Sequence, residues 1–192
     1  MNFLAHIWLS GSNDGVRLGN FIGDAVRGKD LETLPDDVVQ GVHLHRKIDQ
    51  FVDHHPLFKH DLKLLRPYFG KYAPVGLDVL YDHYLAKHFD VYSAVGLNTF
   101  AFQFYQLLNQ RLHELPPNAK FLSEKIIERD WLTQYSSIKG IGNIMMQMDY
   151  RSRFPTGFEQ AEKVIANHEE EMKGHFEIII HDLKMMSNGE IY

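Results

Sequence analysis

The sequence predicts an all-α protein, and two of its features carry this prediction. No segment alternates apolar and polar residues between turn-forming residues, so β-strands are not expected. Apolar residues instead recur every three or four positions, as Leu44, Ile48 and Val52 do within residues 41–56. The chain has 192 residues, 44% of them hydrophobic, which is enough to bury a substantial core. We therefore expect a single domain over residues 1–192, built as a multi-helix bundle of roughly seven to nine helices.

The predicted helices are bounded by side-chain caps, glycines and prolines. An asparagine side chain can accept a hydrogen bond from the first turn of a helix, and proline suits the first helical position. Glycine favours the end of a helix, and a helix usually stops before a proline. In chain order, the expected helices are one capped by Asn2, 17–28 ending at Gly28, one from Pro35 that stops before Pro56, 57–66 ending at Pro67, one from Pro74 to residue 89, 99–115 capped by Asn98, 121–128, 131–150 and 158–186.

The composition argues against several classes of function. Because the chain has no cysteine, it offers no disulfide, no thiol nucleophile and no cysteine-ligated zinc site. The formal net charge of −5 argues against a nucleic-acid-binding protein, which is usually basic. The first residues lack the basic region of a signal peptide, and no apolar run reaches the length of a membrane span. We expect a soluble, cytoplasmic protein without nucleic-acid or membrane partners, whose oligomeric state the sequence leaves open.

Residues 41–56 are the most prominent candidate site, because they hold four histidines and two aspartates in sixteen positions. His45, Asp49 and Asp53 follow each other four residues apart and form one stripe on the predicted helix. Imidazole and carboxylate groups aligned in this way suit a divalent metal ion. They also suit ordinary surface ion pairs, for example between Asp49 and Arg46.

Other polar residues interrupt predicted apolar helices within the first 90 positions: His6, Asp24, His43, Asp78, Asp82 and His83. Each also has a simpler interpretation; His6 can be a core histidine, and Asp24 can pair with Arg27 on the surface. The adjacent Asp82 and His83 spread two ligands over about 100° of a helix, so both can reach one ion between packed helices. The chain lacks a Gly-rich phosphate loop, a GxSxG nucleophile elbow and an HExxH zinc motif.

Four blocks of the sequence together resemble the acyl carrier protein phosphodiesterases. They are MNFLAH at 1–6, GNFIGDAVRG at 19–28, GVHLHRKIDQFVDHHP at 41–56 and LDVLYDHYLAKHF at 77–89. The resemblance extends along the whole chain, and beyond the fourth block it lies mainly in the helix pattern. It implies an HD-domain-like, all-helical fold related to the HD-type metal phosphohydrolases.

The resemblance implies a hydrolase that removes 4′-phosphopantetheine from the serine of holo acyl carrier protein and leaves the apo protein. Such enzymes act in fatty acid biosynthesis and lipid metabolism. They use a divalent cation, with Mn2+ expected and Mg2+, Fe2+ or Co2+ as alternatives. Such an ion can polarise a phosphoryl oxygen, lower the pKa of a bound water and orient its attack. The alternatives are an HD-like phosphohydrolase acting on a nucleotide or another small phosphoester, and a non-catalytic helical interaction module.

The resemblance also assigns roles to individual residues. Asp24 is expected to be essential, as a bridge between metal and water or as the general base. Apart from the resemblance, the match between guanidinium and phosphate geometry suggests that Arg27 or Arg46 holds the non-bridging phosphate oxygens, although either can instead form a structural ion pair with Asp24 or Asp49. The expected metal ligands are His6, Asp24, His45, Asp82 and His83. The expected supporting groups, which orient histidines or position Arg46, are Asp49, Asp53 and Asp78. The order of Asp82 and His83 departs from the His-Asp order of the wider HD superfamily.

Carrier proteins are acidic, so an acidic enzyme needs a local basic patch to bind one. Two groups of cations are candidates for this patch, and each can equally be a solvated face. The first group consists of Lys59, Lys63, Arg66 and Lys71, and the second of Arg151 and Arg153.

Overall fold

The computed structural model describes residues 1–191 and shows eleven α-helices and no strand among them, which confirms the all-α prediction. In chain order the helices are α1 (Phe3–Leu9), α2 (Asp14–Ile22), α3 (Asp36–His54), α4 (Pro56–Phe69), α5 (Ala73–Lys87), α6 (Phe89–Tyr92), α7 (Leu97–Arg111), α8 (Pro117–Glu128), α9 (Trp131–Gln134), α10 (Ile138–Arg151) and α11 (Ala161–Ile191). The predicted number was too low because the short helix α6 was not expected and because the predicted helix 131–150 is divided into α9 and α10.

The boundaries of α2 differ from the predicted helix 17–28. The side chain of Asn13 caps the first turn, so α2 begins earlier than predicted. The helix ends at Ile22, and the chain then tightens into a 3₁₀ turn, Gly23–Ala25. Asp24 was predicted to lie on an α-helix, but it lies on this turn. Its side chain is at the surface.

Two other predicted helix ends are also wrong. Gly28 does not end a helix; it begins a second 3₁₀ turn, Gly28–Thr33. Pro67 lies inside α4, which continues to Phe69. A proline is tolerated there because it removes a single backbone hydrogen bond close to the end of the helix. The helix stops at Gly70, whose φ of 52° is a conformation that glycine adopts without steric cost.

In the second half of the chain, one predicted cap and one predicted helix need correction. Asn98 does not cap α7, because it lies within the first turn of that helix. The predicted helix 131–150 is divided, since α9 ends at Gln134 and α10 begins after Ser137, whose side chain caps it. Gly140 permits this break, because a Cβ atom there would lie 2.0 Å from the carbonyl oxygen of Gln134.

Helices α2 and α3 pack with their backbones almost in contact. A Cβ atom on Gly19 would lie 1.9 Å from the carbonyl oxygen of Val38, and one on Gly41 would lie 2.2 Å from that of Val16. Only glycine allows two helices to approach this closely. The contact brings the end of α2, and the turn that carries Asp24, against the middle of α3.

Helix α5 passes through the protein core and contacts α1, α4, α10 and α11. Its apolar side chains, among them Leu77, Leu80 and Leu85, are fully buried on several sides of the helix. A helix that is apolar around most of its circumference is buried in this way. Asp82 and His83 are therefore both buried, but on different sides of α5, facing different neighbours.

Candidate metal centre

His6, His45 and Asp49 form a compact cluster in which one ligand atom of each residue lies within 4.8 Å of the others. His6 Nε2 is 3.2 Å from one carboxylate oxygen of Asp49, and His45 Nε2 is 3.1 Å from the other. The two imidazole rings are stacked with centroids 4.1 Å apart. The structure thus brings together His6 of α1 and His45 of α3, as the sequence predicted. It adds Asp49, which the sequence suggested only as a supporting group.

Asp24 joins this cluster from the solvent side. Its Oδ1 atom lies 3.2 Å from His45 Nε2, and its side chain is 82% exposed. Asp49 is also partly exposed, whereas both histidines are buried. The four side chains therefore form a group with buried imidazoles on the inside and two carboxylates at an opening to solvent.

Asn20, which was not predicted from the sequence, holds both histidines in place. Its side-chain oxygen lies 2.8 Å from His6 Nδ1, and its backbone oxygen lies 2.8 Å from His45 Nδ1. Its amide group donates to the backbone oxygen of His6 and to Ser10 Oγ. Asn20 is fully buried on the apolar helix α2. Its polarity at a position next to the close-packed Gly19 was the signal that could have identified it.

The glycine that follows α2 makes room for His45. A Cβ atom on Gly23 would lie 2.3 Å from Cγ of the His45 ring. The composition of the 19–28 block follows from the roles of four residues, Gly19, Asn20, Gly23 and Asp24. The glycines permit close approach, while the two polar residues contact the imidazoles.

Asp82 and His83 are not part of the His6–His45–Asp49 cluster among the described residues. The Asp82 carboxylate accepts hydrogen bonds from the backbone N–H groups of Leu4 and Ala5, at 2.7 and 3.2 Å. It therefore stabilises the N-terminal end of α1, the helix that carries His6. His83 Nδ1 lies 2.7 Å from the backbone oxygen of Tyr135, on another side of α5.

The remaining predicted residues lie around the cluster. Asp78 Oδ1 is 2.8 Å from the amino group of Met1, and both groups are near enough to Asp49 to interact with it electrostatically. Asp53 is exposed one turn beyond Asp49 on α3. Arg27 and Arg46 are also exposed, and within residues 1–191 neither pairs with Asp24 or Asp49. Their guanidinium groups are available to a bound anion.

The cluster strongly perturbs the protonation of its members. Burial lowers the pKa of His6 to about 4, although the Asp49 carboxylate opposes this shift. Burial also disfavours charge on His45, but its contacts with Asp24 and Asp49 outweigh burial and raise its pKa to about 9. Despite its own burial, Asp49 has a pKa well below the ordinary value because of both histidines. The hydrogen bond to His45 lowers the pKa of Asp24. Both carboxylates are therefore charged at neutral pH.

The donor set fits a divalent transition metal ion. Two imidazole nitrogens and carboxylate oxygens are ligands that manganese, iron, cobalt and zinc share. His6 Nε2 also fits this assignment, because it is buried and its 3.2 Å contact with Asp49 Oδ1 does not have the geometry of a hydrogen bond. A buried imidazole nitrogen without a well-formed hydrogen bond is unfavourable unless another group, such as a metal ion, satisfies it.

In the described part of the chain, no helix combines the length and apolar character needed to cross a membrane.

No solved structure matches the chain. A family profile described as acyl carrier protein phosphodiesterase matches residues 1–183.

Curated relatives carry the same description. Acyl carrier protein phosphodiesterases of Pectobacterium atrosepticum and Enterobacter sp. are 32% and 34% identical to the chain over 152 residues. The protein of that name from Escherichia coli is 33% identical over the same length. In each case the match covers 79% of this chain and 79% of the relative. This chain therefore belongs to the acyl carrier protein phosphodiesterase family.

Proposed function

We propose that this protein is a hydrolase that cleaves the phosphodiester between 4′-phosphopantetheine and the serine of holo acyl carrier protein. The observation that carries the proposal is the convergence of His6, His45, Asp49 and Asp24 at an opening to solvent. The proposed substrate is inferred from the names of the relatives. We place the reaction in the cytoplasm, as part of lipid metabolism.

His6, His45, Asp49 and Asp24 would hold the divalent cation, for which we propose Mn2+. When bound, such an ion neutralises the adjoining carboxylates, polarises a phosphoryl oxygen and lowers the pKa of a water molecule. Asp82 supports this group indirectly, because it stabilises the helix on which His6 lies. We assign no direct contact with the cation to His83.

Asp24 is the proposed proton acceptor of the reaction. Its carboxylate is charged at neutral pH and faces the solvent from which water and substrate arrive. It can accept a hydrogen bond from the attacking water and take up its proton as the new phosphorus–oxygen bond forms. The bond between phosphorus and the serine oxygen then breaks, and that oxygen takes up a proton. The products are free 4′-phosphopantetheine and the serine hydroxyl of the apo protein.

Arg27 and Arg46 are the proposed contacts to the non-bridging phosphate oxygens. Each lies close in sequence to a residue of the cluster, Arg27 to Asp24 and Arg46 to His45. Both side chains are exposed, and guanidinium groups match the geometry of phosphate oxygens.

One residue from each candidate basic group, Lys71 and Arg153, lies beside Phe154, and we propose this surface as a docking site for the acidic carrier protein. Lys71 Nζ lies 3.7 Å from the ring centroid of Phe154, and Arg153 Cζ lies 5.7 Å from the same centroid. The Phe154 ring is 51% exposed. This surface adjoins the N-terminal end of α5, about 7.5 Å along the helix axis from Asp78 beside the cluster.

The test is incubation of the protein with holo acyl carrier protein and Mn2+, followed by measurement of the intact carrier mass. We expect loss of the 4′-phosphopantetheine mass, and no loss after treatment with a chelator. If the carrier keeps its mass while nucleotides or other small phosphoesters are cleaved, the proposed substrate is wrong. If no ion binds and no phosphoester is cleaved, the protein is a binding module.

Substitution of Asp24 tests whether the reaction depends on this residue, which is proposed both to hold the cation and to accept the proton. We expect Asp24→Asn to lower kcat by about 10²–10⁴-fold while the circular dichroism spectrum stays helical. The matched control is Asp90→Asn, which changes an exposed aspartate on α6 and should keep near-wild-type turnover. Turnover by Asp24→Asn at the control level would remove Asp24 from the mechanism.

A further inference from the structure

A second group of potential metal ligands lies where α4 meets α11, and the proposed reaction does not use it. His60 and Asp61 are neighbours on α4, and His175 lies on α11. One ligand atom of each lies within 4.8 Å of the others. Asp61 Oδ1 is 2.6 Å from His175 Nδ1 and 3.3 Å from His60 Nδ1. Two imidazole nitrogens thus converge on one carboxylate oxygen.

The Asp61 carboxylate is fixed in orientation and shielded from solvent. Its side chain is 0% exposed. Its second oxygen, Oδ2, accepts a hydrogen bond of 2.8 Å from the Tyr81 hydroxyl, which α5 supplies. That contact leaves Oδ1 to face the two histidines. A buried carboxylate is costly unless partners of opposite charge or a metal ion compensate it.

Glu171 completes the pattern around His60. It lies on α11, one turn before His175, and its Oε1 atom is 3.8 Å from His60 Nε2. His60 therefore has one ring nitrogen directed at Asp61 and the other at Glu171. In metal sites, a carboxylate that accepts a hydrogen bond from the second ring nitrogen orients the histidine; at 3.8 Å, Glu171 is an electrostatic neighbour that would have to move closer to form that bond.

We propose that His60 Nδ1, Asp61 Oδ1 and His175 Nδ1 bind a divalent cation of the Zn2+ or Co2+ class, with water as the fourth ligand. Ligand bonds of 2.0–2.1 Å in a tetrahedral site place neighbouring ligand atoms roughly 3.3 Å apart. The distance from Asp61 to His60 already has this value, and that from Asp61 to His175 needs to open by several tenths of an ångström. Because His60 is 48% exposed, water can reach the fourth position.

An ion at this site would link two helices. It joins α4 to α11, and α11 also packs on α1, α3, α5 and α10. The competing interpretation is a hydrogen-bonded pair between Asp61 and His175 that needs no ion. The two interpretations differ in metal stoichiometry, which can be measured without any assay of catalysis.

The experiment uses the full-length protein after removal of metal with a chelator and dialysis. His45→Gln is introduced first, so that ions bound at the proposed catalytic centre do not contribute. We expect this variant to bind one equivalent of Zn2+, and of Co2+ with the visible absorption of a nitrogen- and oxygen-ligated ion. At a hundredfold excess of Zn2+ over Kd, its unfolding temperature should rise by about 5–10 °C.

Adding His60→Gln and His175→Gln to that background should abolish the bound equivalent and the rise in unfolding temperature. The matched control is His168→Gln, which changes another histidine of α11 and should leave both unchanged. If the triple variant does not fold, His45→Gln with His60→Gln alone should weaken Zn2+ binding at least tenfold. An unchanged stoichiometry in the triple variant, an unchanged Zn2+ affinity in His45→Gln with His60→Gln, or no bound ion in His45→Gln would overturn the proposal.

Discussion

At the scale of single residues, Asn20 is the main organiser of the candidate metal centre. It contacts His6 with its side chain and His45 with its backbone, so both rings are oriented by one buried residue. Groups of this kind, which hold metal-binding histidines, influence metal affinity although they do not touch the ion.

Replacing Asn20 should therefore weaken metal binding as well as stability. Asn20→Ala removes the partner of His6 Nδ1 and one of the two hydrogen bonds of Ser10 Oγ, and we expect a loss of about 2–3 kcal/mol in the free energy of unfolding. Mn2+ affinity should fall about 10–100-fold, as measured by calorimetry. The control is Asn13→Ala, which removes only the cap of α2 and should cost about 1 kcal/mol without changing Mn2+ affinity.

The charge on His45 predicts a pH dependence of stability in the metal-free protein. Its pKa of about 9 in the folded state exceeds the ordinary value of 6.5, so the folded protein binds the extra proton between these values. The stabilisation is fully present below pH 6.5 and is lost as the pH rises through 9. We expect the free energy of unfolding to fall by about 2 kcal/mol over that range.

Urea unfolding at pH 6, 7.5 and 9, in the presence of a chelator, measures this dependence. The His45→Gln variant has no titrating imidazole at this position, so its stability should vary much less across the same range. Equal pH dependence in the two proteins would show that another group is responsible.

At the scale of elements, the α2–α3 pair determines the geometry of the site. Gly19 and Gly41 let the helices approach until their backbones touch, and the approach places Asn20 and Asp24 against His45. These residues lie within the 19–28 and 41–56 blocks of the sequence, but the spacing of residues along one helix does not reveal which other helix they face.

A methyl group at the contact should separate the two helices. For Gly19→Ala we expect a loss of about 2–4 kcal/mol in the free energy of unfolding, because the new Cβ would overlap the Val38 carbonyl. The matched control is Gly142→Ala in α10, where a Cβ meets nothing within 4 Å. That change should stabilise the protein by about 0.5–1 kcal/mol. Thermal or urea unfolding measures the stability of both variants. Equal effects of Gly19→Ala and Gly142→Ala would contradict the inference that the backbones of α2 and α3 are in close contact at Gly19.

At the scale of the whole molecule, the distribution of charge matters more than the net charge for association with an acidic partner. The chain is acidic overall, yet Lys71 and Arg153 converge on the exposed ring of Phe154. Such a local patch can attract an acidic partner because association responds to the nearby field.

Charge reversal at this patch tests the proposed docking surface. We expect Lys71→Glu to raise KM for holo acyl carrier protein several-fold, with little change in kcat, and to reduce the salt dependence of kcat/KM. The control is Lys139→Glu, the same change at an exposed lysine on α10. If both variants raise KM equally, net charge and not this patch controls association.

The all-helical class and part of the candidate site were predictable from the sequence. Helical periodicity and the absence of alternation determine the class, and His6, Asp24 and His45 were each recognisable as polar residues in characteristic blocks. The extent of a single domain over 1–192 and the relationship to HD phosphohydrolases stay predictions. Helix boundaries were less predictable, as at Pro67, because a proline near a helix end costs little.

Only the tertiary structure decided which side chains meet. Asp82 and His83 are adjacent in sequence, yet α5 directs one to the end of α1 and the other to Tyr135. Asp61 and His175 are 114 positions apart and nevertheless touch. The physical reason is that periodicity reveals which face of a helix is buried, whereas the partner of that face depends on how whole helices pack. The sequence by itself therefore determined the all-helical class and the types of candidate ligand residue, and the packing of α1, α2 and α3 determined which of those residues form the candidate centre.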